Sequence, residues 1–142
     1  MRVRPLRRDD VPRWMEMRAE LWPGAELEED DALTVFVAEE GDALIGFVEM
    51  SLRSYAEGCS SSPVPYIEGW WVAEEWRRRG VGGALMKAAE DSARERGFTE
   101  IASDTNDWNR LSQDAHKALG WEEVETVVVF RKVLTERRRP AG

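Results

Sequence analysis

The chain has 142 residues, of which 42% are hydrophobic and 34% charged, and its net charge is −8. This length suits one core, the composition excludes a disordered chain, and no apolar run nears the ~20 residues that cross a bilayer. The acid excess argues against nucleic acid as the main partner and fits either plain solubility or a cationic ligand. Residues 1–5 lack a secretion-type apolar stretch and the lone Cys59 cannot form an internal disulfide, so the cytoplasm is the expected compartment.

In chain order, residues 3–6 read as a strand, and Asp9 or Asp10 caps a helix with Pro12 in its first turn. Val11, Trp14, Met15 and Trp22 give that helix an apolar stripe before Pro23-Gly24 ends it. Residues 26–31 form an acidic, exposed loop, followed by an antiparallel hairpin of residues 33–39 and 43–52 about Gly41-Asp42. Residues 53–64 read as a Ser/Gly/Pro-rich loop, and 65–72 as a strand with Tyr66, Glu68 and Trp70 alternating on one face. A helix over 81–96 turns Val81, Ala84, Leu85, Ala88 and Ser92 inward and stops at Gly97. A short strand over 99–103, a helix over 109–119 and a Gly120 stop come next. Residues 122–134 supply final strand material, expected as two strands with a tight turn. The expectation is an α/β domain over 1–135 with a mixed sheet, and a basic, flexible tail at 136–142.

The chemistry starts where the strand ending at Val72 leads, through residues 73–76, into Arg77-Arg78-Arg79-Gly80-Val81-Gly82-Gly83 and then a helix. Glycines let backbone N–H groups converge, the helix start adds free donors, and three arginines add charge. Together these make an anion site. Neither a nucleotide-hydrolysing P-loop nor a G-x-G-x-x-G after the first strand is present. Solvated arginines beside an ordinary helix start remain the plainer alternative.

Arg77-x-x-Gly80-x-Gly82 resembles the Q/R-x-x-G-x-G/A loop of the GNAT superfamily of acyl-CoA transferases, and the element order is similar over nearly the whole chain. The resemblance implies a GNAT fold whose mixed central sheet has two splayed parallel strands and flanking helices. It implies acetyl-CoA as donor, with its pyrophosphate on Arg77, Arg78, Arg79, Gly80, Val81, Gly82 and Gly83. Trp70, Trp71 and Val72 would line the pantetheine, with Asn109 and Ser112 near its arm.

Further segments narrow the likeness. Leu21-Trp22-Pro23-Gly24, Gly58 to Val64, Ile67-Glu68-Gly69, Ala102-Ser103-Asp104-Thr105, Ser112-Gln113, His116 to Gly120 and Phe130-Arg131-Lys132 resemble aminoglycoside 6'-N-acetyltransferases. That implies a polycationic acceptor whose 6'-amine is acetylated in a ternary complex, conferring antibiotic resistance. Trp22, Tyr55, Tyr66, Glu68, Asp104 and Glu125 would bind it. A homodimer is implied too, formed through the final strands.

Read on their own chemistry, Glu68 and Asp104 are two carboxylates at a cleft that could bind ammonium groups or take a proton from one. Glu68 could equally be a paired carboxylate, and Asp104 a helix cap before Asn106. Trp22 could be core, and Glu125 could face solvent. His116 stands where many GNAT enzymes place a tyrosine, as a proton donor to the leaving thiolate or as a structural histidine. No His/Cys cluster suggests a metal. The segment after the first helix is about ten residues shorter than the resemblance leads one to expect, which bears on antibiotic range. A GNAT enzyme for another amine, and a non-catalytic CoA- or aminoglycoside-binding module, stay open.

Overall fold

The computed structural model of the chain describes residues 1–135; the basic tail expected at 136–142 lies outside the described residues. Five strands form one mixed sheet in the order β1-β2-β3-β4-β5. They are β1 (Arg2–Pro5), β2 (Thr34–Glu40), β3 (Ala43–Arg53), β4 (Val64–Val72) and β5 (Ala102–Ser103). The first four pair antiparallel, and β4 and β5 pair parallel. Three helices flank them: α1 (Val11–Leu21), α2 (Val81–Glu95) and α3 (Arg110–Ala118). This is the α/β class expected from the sequence.

Apolar side chains on the two sheet faces fix where the helices dock. Trp14 and Met17 of α1 pack with Val35, Val37, Leu44 and Phe47 on one face. Val81, Leu85, Met86 and Ala89 of α2 pack with Ala38, Ile45, Val48, Met50 and Ile67 on the other. The buried stripe of α2 continues to Ala93, while Ala84, Ala88 and Ser92, expected inward, are only half-buried. Asp10 precedes α1 without a side-chain cap bond to it. Its carboxylate instead accepts the Arg7 backbone N–H at 2.7 Å and the Arg4 guanidinium at 2.7 and 3.0 Å. A buried arginine must be paired, and this pairing outweighs capping.

Two departures matter for function. Glu49 pairs with Gly69 but Met50 pairs with Ile67, so Glu68 is an extra residue that bulges β4. A bulge breaks the two-residue alternation. Tyr66 and Glu68 share the α1 face as expected, but Trp70 crosses to the α2 face, where its indole donates to the Gly82 carbonyl at 3.0 Å. Trp71 returns to the α1 side, stacked at 6.5 Å on Phe47.

The second departure is the end of the chain. No strand forms over residues 121–135, where two were expected. Val127, Val128, Val129 and Phe130 are 54–89% exposed. Strand-forming residues need a partner edge, and β5 contributes only two residue pairs, too short a template within one chain.

Candidate active site

β4 and β5 are in register only at Tyr66–Ala102 and Ile67–Ser103. Beyond that point they part, leaving residues 69–72 of β4 without a β5 partner. The sheet opens there, as it does at ligand crevices at strand carboxyl ends.

On the α2 side of the opening lies the arginine-glycine turn. Arg78 has φ +60° and Gly80, the residue before α2, has φ +83°. Such angles cost a non-glycine residue about 1–2 kcal/mol, so the backbone is held in shape against strain at Arg78. The first helical bond of α2 runs from the Ala84 N–H to the Gly80 carbonyl at 3.1 Å, which leaves the amides of Val81, Gly82 and Gly83 free of earlier-turn partners. Arg77 is braced by its Nε on the Val72 carbonyl at 2.9 Å, and Arg79 lies over the Trp76 ring at 4.2 Å. A Cβ on Gly82 would stand 3.2 Å from the Trp70 ring, so glycine there allows α2 to sit close on β4. Free amides, a positive helix end and three guanidinium groups fit a pyrophosphate.

Helix α3 closes the other bank. Asn109 accepts the Ser112 N–H at 3.1 Å and so serves as its cap, while Gln113 donates to the carbonyls of Asn106 and Asp107 at 3.1 and 2.9 Å. These bonds brace the loop after β5. His116 sits edge-on between Trp70 and Trp121, at 5.1 and 5.4 Å. Its Nδ1 is 2.7 Å from the Ser112 carbonyl and its Nε2 2.9 Å from the Ser103 hydroxyl. A carbonyl can only accept, so Nδ1 carries the proton and Nε2 accepts from Ser103.

On the α1 side is a cavity of about 620 Å³ lined by Arg18, Trp22, Glu28, Glu49, Ser51 and Glu68, among others. Glu68 accepts from Ser51 at 2.6 Å and from two nitrogens of Arg53 at 2.8 Å each. Burial alone would push its pKa up, but Arg53 and Ser51 outweigh that and hold it below the usual carboxylate range. The Arg53 guanidinium lies 3.5 Å over the Tyr66 ring, and the Tyr66 hydroxyl donates to Asp104 at 2.6 Å. Burial, then that bond to Asp104, raises the Tyr66 pKa, so the phenol keeps its proton. Glu68 and Asp104 are thus joined through Arg53 and Tyr66. Asp104 caps no helix, since Asn109 takes that place.

A turn that fits an anion and an acidic cavity thus lie on two sides of one splayed strand. Residues 3–121 match the model of the acetyltransferase (GNAT) family. The chain belongs to the GNAT family. A Klebsiella aerogenes relative named aminoglycoside N(6')-acetyltransferase type 1 is 46% identical over 147 residues, covering 93% of this chain and 96% of its own. The solved structure of AAC(6')-Iy with the bisubstrate analog CoA-S-monomethyl-acetylneamine superposes with a TM-score of 0.86 at 36% identity, over 93% of this chain and 97% of the other. AAC(6')-Iy in complex with CoA gives 0.83 at 38%, over 93% and 99%.

In this GNAT chain the structure gathers Trp22 and Glu68 in the cavity and links Tyr66 and Asp104 to them. Tyr55, 66% exposed, and the exposed Glu125 stand outside the lining. Val124 packs on Gly58, which places the 121–125 segment against the same 54–63 loop that carries Tyr55. Sequence reasoning missed Arg18, Glu49, Ser51, Arg53 and Ser103. Two had a readable signal: Arg18 interrupts the apolar stripe between Trp14 and Trp22, and Glu49 interrupts an apolar run. Both are almost fully buried, at 7% and 1% exposed. The others depended on the bulge and the strand register, which composition does not reveal.

Proposed function

We propose that this chain is an acetyl-CoA-dependent N-acetyltransferase acting on the 6'-amine of aminoglycosides, by direct transfer in a ternary complex. One observation carries the reading: an anion cradle and an acidic cavity flank the same opened strand, so a phosphate-bearing donor and a polycationic acceptor would meet at β4. Acetyl-CoA supplies the acyl group as a thioester. Arg77, Arg78, Arg79 and the 80–83 amides hold its pyrophosphate, with Trp70, Trp71, Val72, Asn109 and Ser112 along the rest of it. Orientation of two bound reactants is the main contribution.

Asp104, fixed by the Tyr66 hydroxyl, takes the proton from the acceptor ammonium. Glu68 is ionised and already forked by Arg53, which suits charge complementarity to a cation better than proton transfer. Trp22 forms an apolar wall for a sugar ring, while Tyr55 and Glu125 meet its outer groups. His116 takes the structural role: its Nδ1–H is held by the Ser112 carbonyl, and its Nε2 accepts from Ser103 and orients that hydroxyl. The final segment, with its exposed Val127 to Phe130 run, pairs with a second copy in a homodimer. The site of action is the cytoplasm; among the described residues no helix is long and apolar enough to cross a membrane.

The test is thiol release from acetyl-CoA with kanamycin, a polyamine and a peptide as acceptors. Release with kanamycin alone supports the reading. Turnover of the polyamine or peptide alone overturns the substrate class, and kanamycin binding without release overturns catalysis. Expression in a susceptible bacterium raises the kanamycin concentration needed to stop growth.

A further inference from the structure

The segment between α1 and β2 forms one wall of the acidic cavity through Leu27, Glu28, Glu29 and Asp30. It has no helix or strand of its own. Its own bonds are local: Ala25 N–H to the Trp22 carbonyl at 3.2 Å, Leu33 N–H to the Asp30 carbonyl at 3.2 Å, and Ala32 N–H to the Asp30 carboxylate at 2.9 Å. Among the described residues, one hydrogen bond ties residues 23–32 to the body. It runs from Arg18 Nη1 to the Glu28 carbonyl at 2.8 Å.

The same guanidinium touches Glu49 and Trp22 of the cavity lining, and Trp14 of α1. Its Nη2 donates to Glu49 Oε1 at 3.3 Å, and its Nε lies 3.0 Å from Glu49 Oε2. The Nε–H does not point at that oxygen, so it is a charge contact and Nε lacks a hydrogen-bond acceptor. The Arg18 group also lies 4.6 Å from the Trp14 ring and 5.7 Å from the Trp22 ring. The Trp14 indole N–H also holds Glu49, donating to Oε2 at 3.2 Å. Trp22 is boxed in from below, since a Cβ on Gly69 would stand 2.8 Å from its ring.

We propose that Arg18 is the positioning residue of the acceptor cavity: through Glu49, Trp22 and the Glu28 carbonyl it locks the 23–32 segment in place as the cavity's acidic wall. The occupant is a polycation, so the inference rests on the proposed acceptor class. Without the lock, the carboxylates of Glu28, Glu29 and Asp30 no longer stand where ammonium groups meet them. A wall of this kind sets acceptor affinity and leaves the donor turn, on the opposite sheet face, untouched.

Removing Arg18 alone leaves Glu49 as a buried, unpaired carboxylate, which endangers folding. The test therefore uses the Arg18→Met/Glu49→Gln double variant, which removes both charges, beside Arg18→Lys. For the double variant we expect native-like circular dichroism, unchanged CoA affinity by calorimetry and faster hydrogen exchange over residues 25–32. The kanamycin KM should rise about tenfold or more with kcat within about threefold, matching loss of one charge-assisted anchor. Arg18→Lys keeps the charge but not the fork, so it should restore little of the KM. A folded double variant with parental KM and parental exchange overturns the proposal, as does an equal loss of CoA affinity. If the parent enzyme turns over no aminoglycoside, the exchange measurement still decides whether Arg18 locks the segment, and the acceptor reading fails separately.

Discussion

Asp104 and Glu68 are both carboxylates, and their neighbours give them different work. Asp104 is exposed and holds one bond from a phenol that keeps its proton, so it has room to receive another. Asp104→Asn should lower kcat by about 10²–10⁴ while CoA affinity stays unchanged, measured by thiol release and calorimetry. Tyr66→Phe, which removes only the positioning bond, should cost about tenfold in kcat/KM. Glu68 has its folded pKa below its unfolded value, so its bonds to Arg53 and Ser51 stabilise the fold above the unfolded pKa. That stabilisation is lost as pH falls through the folded value. Thermal melts should therefore show Glu68→Gln less stable than the parent at pH 7, with the gap closing below about pH 4.

At the scale of elements, two glycines make separable predictions. Gly80 has open space around its Cβ position but a left-handed φ. Gly80→Ala should cost about 1–2 kcal/mol of stability and raise the acetyl-CoA KM, with the kanamycin KM unmoved. Gly69 has an ordinary φ but no room: an added Cβ meets Trp22, Phe47 and Glu49 at 2.8–3.1 Å. Gly69→Ala should cost about 1–3 kcal/mol and raise the kanamycin KM instead. Denaturant melts and steady-state kinetics read both. The donor turn was legible in the sequence because its signal is local, an arginine-glycine run between a strand and a helix. The helices and the hairpin about Gly41 were legible for the same reason, whereas the parallel pair joins residues 36 apart and was expected through resemblance. The acceptor cavity was only partly legible. Trp22, Glu68 and Asp104 were found through resemblance, but the bulge at Glu68 turned Trp70 away from them. Arg53 and Ser51 joined Glu68 only through strand register. The final strands were not legible because strand-forming residues need a receiving edge, and β5 offers one only two residues long.

For the whole molecule, charge is divided by function. The arginines of the donor turn stand on one sheet face, while acidic residues line the cavity on the other. Raising ionic strength should therefore raise both KM values, through screening at each site, with kcat nearly constant. The exposed Val127–Phe130 run predicts a dimer by light scattering, and Val128→Asp with Phe130→Asp should yield monomer. A monomeric parent would contradict that part of the account. The proposed chemistry is narrower than the fold: an acetyl group moves to one amine. The direct measurement is mass spectrometry and proton NMR of the kanamycin product, beside an aminoglycoside carrying a 6'-hydroxyl in place of the amine. The expected product carries one acetyl group, on the 6'-nitrogen of kanamycin, and the hydroxyl analogue gives no product. Acetylation at another nitrogen, or of both compounds alike, would contradict that chemistry.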